Sequence, residues 1–111
     1  MARLPNGDRA FVSPQKIAGY ALNAEHAHGG HKARVFRAAL GMTAADAGKL
    51  QAALLAAALE RDCLLVRRDE FGSHYTLEFP FGNAGRTATI RSLWTIRPTE
   101  DFPRLVSVYV L

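Results

Sequence analysis

The stretch Arg86-Thr87-Ala88-Thr89-Ile90-Arg91-Ser92-Leu93-Trp94-Thr95-Ile96-Arg97 alternates between two kinds of side chain. Ile90, Ser92, Trp94 and Ile96 fall on one face, and Thr89, Arg91, Leu93 and Thr95 on the other. That period belongs to a half-buried β-strand, not to a helix. Working outward, Gly82-Asn83-Ala84-Gly85 reads as the turn before it. Ahead of that turn, Tyr75, Leu77 and Phe79 alternate with His74, Thr76 and Glu78 in a strand entered through Phe71-Gly72-Ser73. Cys63 to Arg68 reads as a further strand. After a Pro98 to Pro103 loop, Arg104 to Val110 reads as the last strand. Val106, Val108 and Val110 are expected on one side of it, and Leu105, Ser107 and Tyr109 on the other.

Upstream of Asp62 the period is helical. Ser13-Pro14 supplies an N-cap and a first-turn proline for a helix ending near Asn23, with Ile17, Tyr20 and Ala21 at helical spacing. A second helix is expected from Gly30 or His31 to Leu40. Ala33, Phe36, Arg37 and Leu40 share its face, and Gly41 provides a left-handed stop. Thr43 with Asp46 forms a variant capping box for a third helix through Arg61, buried along Ala47, Leu50, Leu54 and Ala57/Ala58. Helices first and strands after imply an α+β fold: two to three N-terminal helices packed on one face of a C-terminal four-stranded antiparallel sheet, in one domain over residues 1–111.

Fourteen Lys and Arg against ten Asp and Glu give a formal net charge of +4, which suits a polyanionic partner. The single cysteine, Cys63, has no partner for an internal disulfide and heads an apolar run, so it reads as a small buried hydrophobe. The first residues hold no apolar leader, and no apolar run approaches the length of a membrane span. The expectation is a soluble cytoplasmic protein without a membrane partner. Phosphate-loop, dinucleotide-binding and GxSxG patterns do not occur, which argues against nucleotide triphosphatase, dehydrogenase and esterase chemistry.

Chemistry concentrates in Leu22-Asn23-Ala24-Glu25-His26-Ala27-His28-Gly29-Gly30-His31-Lys32-Ala33-Arg34-Val35-Phe36. Gly29 and Gly30 let backbone N–H groups face a ligand, and the helix that follows adds its positive dipole end, so the segment could hold a phosphate. Lys32 and Arg34 reinforce that charge, and His26 could move a proton near neutral pH. A solvated loop feeding a helix is the plainer alternative. His26, His28 and His31 could in principle bind a transition metal, but neither a cysteine nor an HExxH partner accompanies them, so neither metal nor cofactor is expected. Ser92 and Ser107 put hydroxyls into apolar strands, where each needs a hydrogen-bond partner in a neighbouring strand or in a substrate. Arg91, Trp94 and Tyr109 stand beside them. The aromatic rings could stack on bases or simply fill the core.

The chain resembles a small uncharacterised bacterial domain family marked by a YxLNxxHxxGxxKAxxF core and a closing PxLVTxY strand. The matching residues are Leu4-Pro5-Asn6, Tyr20-Ala21-Leu22-Asn23, His26, Gly29, Lys32-Ala33, Phe36, Leu40-Gly41, Ser92-Leu93-Trp94 and Pro103-Arg104-Leu105-Val106-Ser107-Val108-Tyr109. Ser92 and Ser107 stand where that pattern has threonine, which keeps a hydroxyl at both places. More loosely, helices followed by a sheet are similar to the barnase–EndoU–colicin–RelE superfamily of metal-independent ribonucleases and toxins. That resemblance implies RNA cleavage by attack of a ribose 2′-hydroxyl and a cognate inhibitor protein as partner. His26 would be the acid or base, Lys32 the cation on the phosphate, and Ser92, Ser107 and Tyr109 its further contacts. Gly29, Gly30, Arg34, Arg91 and Trp94 would bind the substrate. The alternative is a non-catalytic module that docks a protein through a sheet edge or its basic face.

Overall fold

A computed structural model describes residues 2–23 and 30–111. The Arg86–Ile96 strand, which the alternation predicts, lies in the interior of its sheet with a neighbour on each side. Strands β1 (Ala2–Arg3), β2 (Asp62–Asp69), β3 (Gly72–Asn83), β4 (Arg86–Ile96) and β5 (Arg104–Val110) form a five-stranded sheet in the order β1-β2-β3-β4-β5. Every neighbouring pair is antiparallel. The expected four strands are therefore joined by a fifth. β1 carries no alternation of its own and exists through the pairs Ala2↔Cys63 and Arg3↔Asp62.

The chain after β1 passes to the opposite edge of the sheet. There Phe11 forms an isolated parallel bridge with Arg104, and Leu105 N–H donates to the Phe11 carbonyl at 3.0 Å. Leu4 and Val12 are buried along this crossing. Gly7 approaches the Ala47–Glu60 helix so closely that a Cβ there would overlap the Ala58 carbonyl.

Three helices are described. α1 is shorter than the sequence implies: Pro14–Lys16 is helical, and Ile17–Ala21 then widens into a π turn closed by Leu22 N–H to the Ile17 carbonyl at 2.9 Å. Gly19 lies within that turn and weakens its hold on regular α geometry. Ser13 takes the extended N-cap conformation, but its side chain makes no capping bond. α2 (Gly30–Leu40) buries Gly30, Ala33, Phe36 and Leu40 and packs on β4 and β5. Arg37, expected on that face, is exposed, as the cost of burying an unpaired cation requires. Gly41 at φ +64° ends α2, its N–H bonding the Arg37 carbonyl at 2.9 Å. The Thr43–Asp46 capping box forms both of its bonds and leads through a short 3₁₀ turn into α3 (Ala47–Glu60). Leu50, Leu54, Ala57 and Ala58 are its buried stripe.

The helical side of the sheet is a continuous apolar core in which Trp94, Phe36, Ile17, Leu40, Leu50, Leu54, Leu77 and Ile90 are almost wholly removed from solvent. On β5 the expected faces are corrected. Leu93 pairs with Ser107 and Trp94 with Leu105, so Val106 is an extra, bulged residue. The bulge resets the alternation: Leu105 joins Val108 in the core, whereas Val106 is 47 % exposed. Among the described residues, no helix is long and apolar enough to cross a membrane.

The β3–β4 hairpin turns through Ala84 and Gly85, both left-handed at φ 52° and 75°, between the paired Asn83 and Arg86. Such a turn favours asparagine over alanine at its first central position. Ala84→Asn is expected to raise stability by about 0.5–1 kcal/mol, seen as a higher urea midpoint at unchanged m-value.

Candidate functional site

α2 lies against β4 and β5, and β5 is an outer strand, so a long side chain on the flank of α2 can reach past it. Lys32 does this. Its Nζ donates to Ser107 Oγ at 3.0 Å and stands 5.1 Å from the centre of the Tyr109 ring, joining residues 75 apart in sequence. Ser107 and Tyr109 alternate with the buried Val108 and therefore belong to the sheet face turned away from the core. Arg91, paired directly with Tyr109, extends the group. It donates from Nη1 to the Tyr109 hydroxyl at 3.5 Å and, at 2.9 and 2.6 Å, to Oε2 of Glu78. The bonds to Tyr109 and Glu78 push the guanidinium further up from its ordinary value, which keeps it cationic. His31, Lys32, Val35, Tyr109 and Val110 line a recess of about 400 Å³ at this place.

The donor inventory favours an anion. Lys32 spends one of its three N–H bonds on Ser107, and the Ser107 hydroxyl, having accepted, still has a proton to give. Lys32, Ser107, Tyr109 and Arg91 are thus brought together. Gly30 is buried at the start of α2, and Arg34 and His31 are exposed on it. His26, His28 and Gly29 lie outside the described residues.

Ser92 and Trp94 lie on the other side of the sheet from this group. Ser92 is fully buried on the opposite, helical face. Its hydroxyl donates to the Leu77 carbonyl at 2.9 Å and accepts from Trp94 Nε1 at 2.9 Å. Trp94 is 1 % exposed and has no face open for stacking. Both are therefore corrected from substrate contacts to core: the strand hydroxyl finds its partner inside the protein.

The family model that matches this chain covers residues 3–111, from β1 to the end of β5. The chain belongs to the family described as Domain of unknown function (DUF6883). No curated protein and no solved structure matches it. In this DUF6883 chain the span of the match includes every member of the Lys32 group.

A second polar cluster escapes the sequence reading. His74 on β3 donates from Nε2 to Asp69 Oδ1 at 2.8 Å, and its Nδ1 lies 2.9 Å from Thr95 Oγ1 on β4. With the proton on Nε2 in the neutral ring, Thr95 is the donor to Nδ1. The bond from His74 holds the Asp69 carboxyl below its usual range, helped by the Phe71 N–H and by Arg67. His74 and Thr95 are directly paired across the hairpin, so aligning the two strands about Ala84-Gly85 was the signal that could have found them. Cys63 is half-buried, and burial followed by the nearby Asp62 pushes its thiol up, away from nucleophilic chemistry. Among the described residues, no three His, Cys, Asp or Glu side chains gather as metal ligands.

The placement of Ser92 makes a definite prediction. Ser92→Ala leaves the Trp94 N–H buried without an acceptor and is expected to cost about 1–3 kcal/mol in equilibrium denaturation. Ser107→Ala, at the half-buried margin, is expected to change stability by less than about 1 kcal/mol.

Proposed function

We propose that this DUF6883 domain is a metal-independent ribonuclease of the toxin type, cleaving RNA through its own 2′-hydroxyl. The observation that carries the reading is the meeting of Lys32 with Ser107 and Tyr109. A helix and a distant strand bring an ammonium and a phenol to one recess, with the Ser107 hydroxyl bonded to that ammonium and the Arg91 guanidinium beside the phenol. That set suits a phosphodiester, whose non-bridging oxygens gain charge as the phosphorane forms. The likeness to the barnase–EndoU–colicin–RelE superfamily supplies the reaction.

In this reading the 2′-oxygen attacks the neighbouring phosphorus while its proton passes to His26. Lys32 and Arg91 bear on the charge of the phosphorane, and Ser107 and Tyr109 donate to its oxygens. The bond from phosphorus to the 5′-oxygen then breaks, and that oxygen leaves with the proton that His26 gives back. A 2′,3′-cyclic phosphate remains on one fragment and a 5′-hydroxyl on the other. Arg34, exposed on α2, serves as a further phosphate contact. A cognate inhibitor protein in the cytoplasm would cover the site.

A second reading, a non-catalytic docking module, draws on β2. Only Asp62 and Cys63 pair with β1, so the strand runs on past that pairing with Leu64 66 %, Leu65 40 % and Val66 58 % exposed. An uncovered apolar strand of this kind suits addition of a partner strand.

Cleavage of a short single-stranded RNA separates the two. The purified protein is expected to cut it in EDTA, to leave a 2′-deoxy substrate intact and to yield a cyclic phosphate. His26→Ala and Lys32→Ala are each expected to lower the rate about 100-fold or more, with thermal unfolding nearly unchanged. A wild-type protein free of inhibitor that fails to cut RNA at high concentration would overturn the ribonuclease reading in favour of the docking module.

A further inference from the structure

The other end of β5 opens on a cleft of about 650 Å³, the larger of the two concavities beside that strand's ends. Its walls come from the N-terminal segment, the β2–β3 turn and the β4–β5 connection. They include the rings of Phe11 and Phe71, the cations Lys16 and Arg97, and the polar pair His74 and Thr95. Phe11 is 46 % and Phe71 67 % exposed, which is unusual for aromatic rings flanking one concave surface.

Phe11 is held in place. The Arg104 guanidinium lies 5.2 Å from the Phe11 ring centre and 5.0 Å from that of Phe102. Glu100 fixes that guanidinium through two 2.7 Å bonds. Arg104 is thereby committed to the wall, whereas Arg97 approaches the same carboxylate only to 4.0 Å and is largely exposed. Lys16 donates to the carbonyl of the bulged Val106 at 3.2 Å and keeps two donors for another group.

We propose that this cleft binds the stretch of single-stranded RNA adjoining the scissile nucleotide, with a base against Phe71 or Phe11 and a phosphate against Arg97 and Lys16. The inference rests on the ribonuclease reading and extends it from one phosphodiester to a path. Two observations select this occupant. Exposed aromatic faces and cations on one surface, with the Glu70 carboxylate also in the lining, suit the bases and phosphates of a single strand, which a purely acidic peptide does not offer. The cleft also adjoins the Lys32 group along β5, because Val106, which lines it, immediately precedes Ser107 in the strand. From Arg104 to Tyr109 the strand spans roughly 15 Å, so one extended RNA strand can touch both places. Thr95, bonded to His74, also lines the cleft.

The test uses the full chain and two uncleavable 2′-O-methyl RNA probes, a dinucleotide and a single strand of about eight nucleotides. Binding is followed by fluorescence anisotropy across a salt series. Phe71→Ala is expected to weaken the longer strand at least about 5-fold and to leave the dinucleotide unchanged. Arg97→Gln is expected to weaken it as well and to reduce the slope of log K against log salt by about 0.7. Both side chains are exposed, and matching thermal melts check that each variant keeps its fold. Unchanged affinity for the longer strand in both variants, equal losses for the two probes, or no binding of the longer strand to wild type would each overturn the proposal. Cleavage of an unmodified ribodinucleotide by wild type and by Lys32→Ala reports on the ribonuclease reading separately.

Discussion

The indole N–H of Trp94 is sealed from water and has one acceptor, the hydroxyl of Ser92 two residues earlier on the same strand. Ser92 in turn donates across to the Leu77 carbonyl, so the chain of bonds closes without an orphan. This decides which face of β4 turns toward the helices. An alternative register would bury the Arg91 guanidinium and leave the largest apolar side chain in solvent. With Trp94 inside, Arg91, Leu93 and Thr95 must face the other way, and their partners on β3 and β5 follow. The polar face of the sheet is in this sense a by-product of one buried ring.

The bulge at Val106 then shapes how that face meets the rest of the molecule. A regular β5 would carry Leu105 to the polar side and Val106 into the core. One additional residue instead lets Leu105 close over the core while Ser107 and Tyr109 stay within reach of α2. Lys16 stabilises the distortion by bonding the Val106 carbonyl, which connects α1 to the same place. Backbone irregularity here does what side-chain chemistry alone could not: it turns a uniform strand into one with two different ends.

Much of the fold was legible because its long elements are strictly periodic. β4, the stripe of α3 and the glycine stop of α2 each follow from local spacing, and the capping box at Thr43 formed as read. What escaped was set by pairing. Ala2-Arg3 has too few residues to show a period and becomes a strand only against Asp62 and Cys63. The π turn at Ile17–Ala21 and the bulge at Val106 are departures from a period, so a periodic reading passes over both. The need of Ser92 for a partner was evident from its apolar setting, but its choice of Trp94 over a ligand required the third dimension. His74 and Thr95 appeared only as polar beats in separate strands until the hairpin aligned them.

The crossing of the N-terminal segment beneath the sheet, from Ala2 beside Cys63 to Phe11 beside Arg104, bears on the order in which the chain folds. β2 to β5 are neighbours in space as they are in sequence, so each hairpin closes only a short loop and can form early. The strap must bridge almost the whole chain to reach β5, and its closure entropy is repaid only once both edges already exist. It is therefore a fastening applied to a finished sheet. Until it docks, the nascent protein carries two bare margins, the state in which sheets most readily find one another.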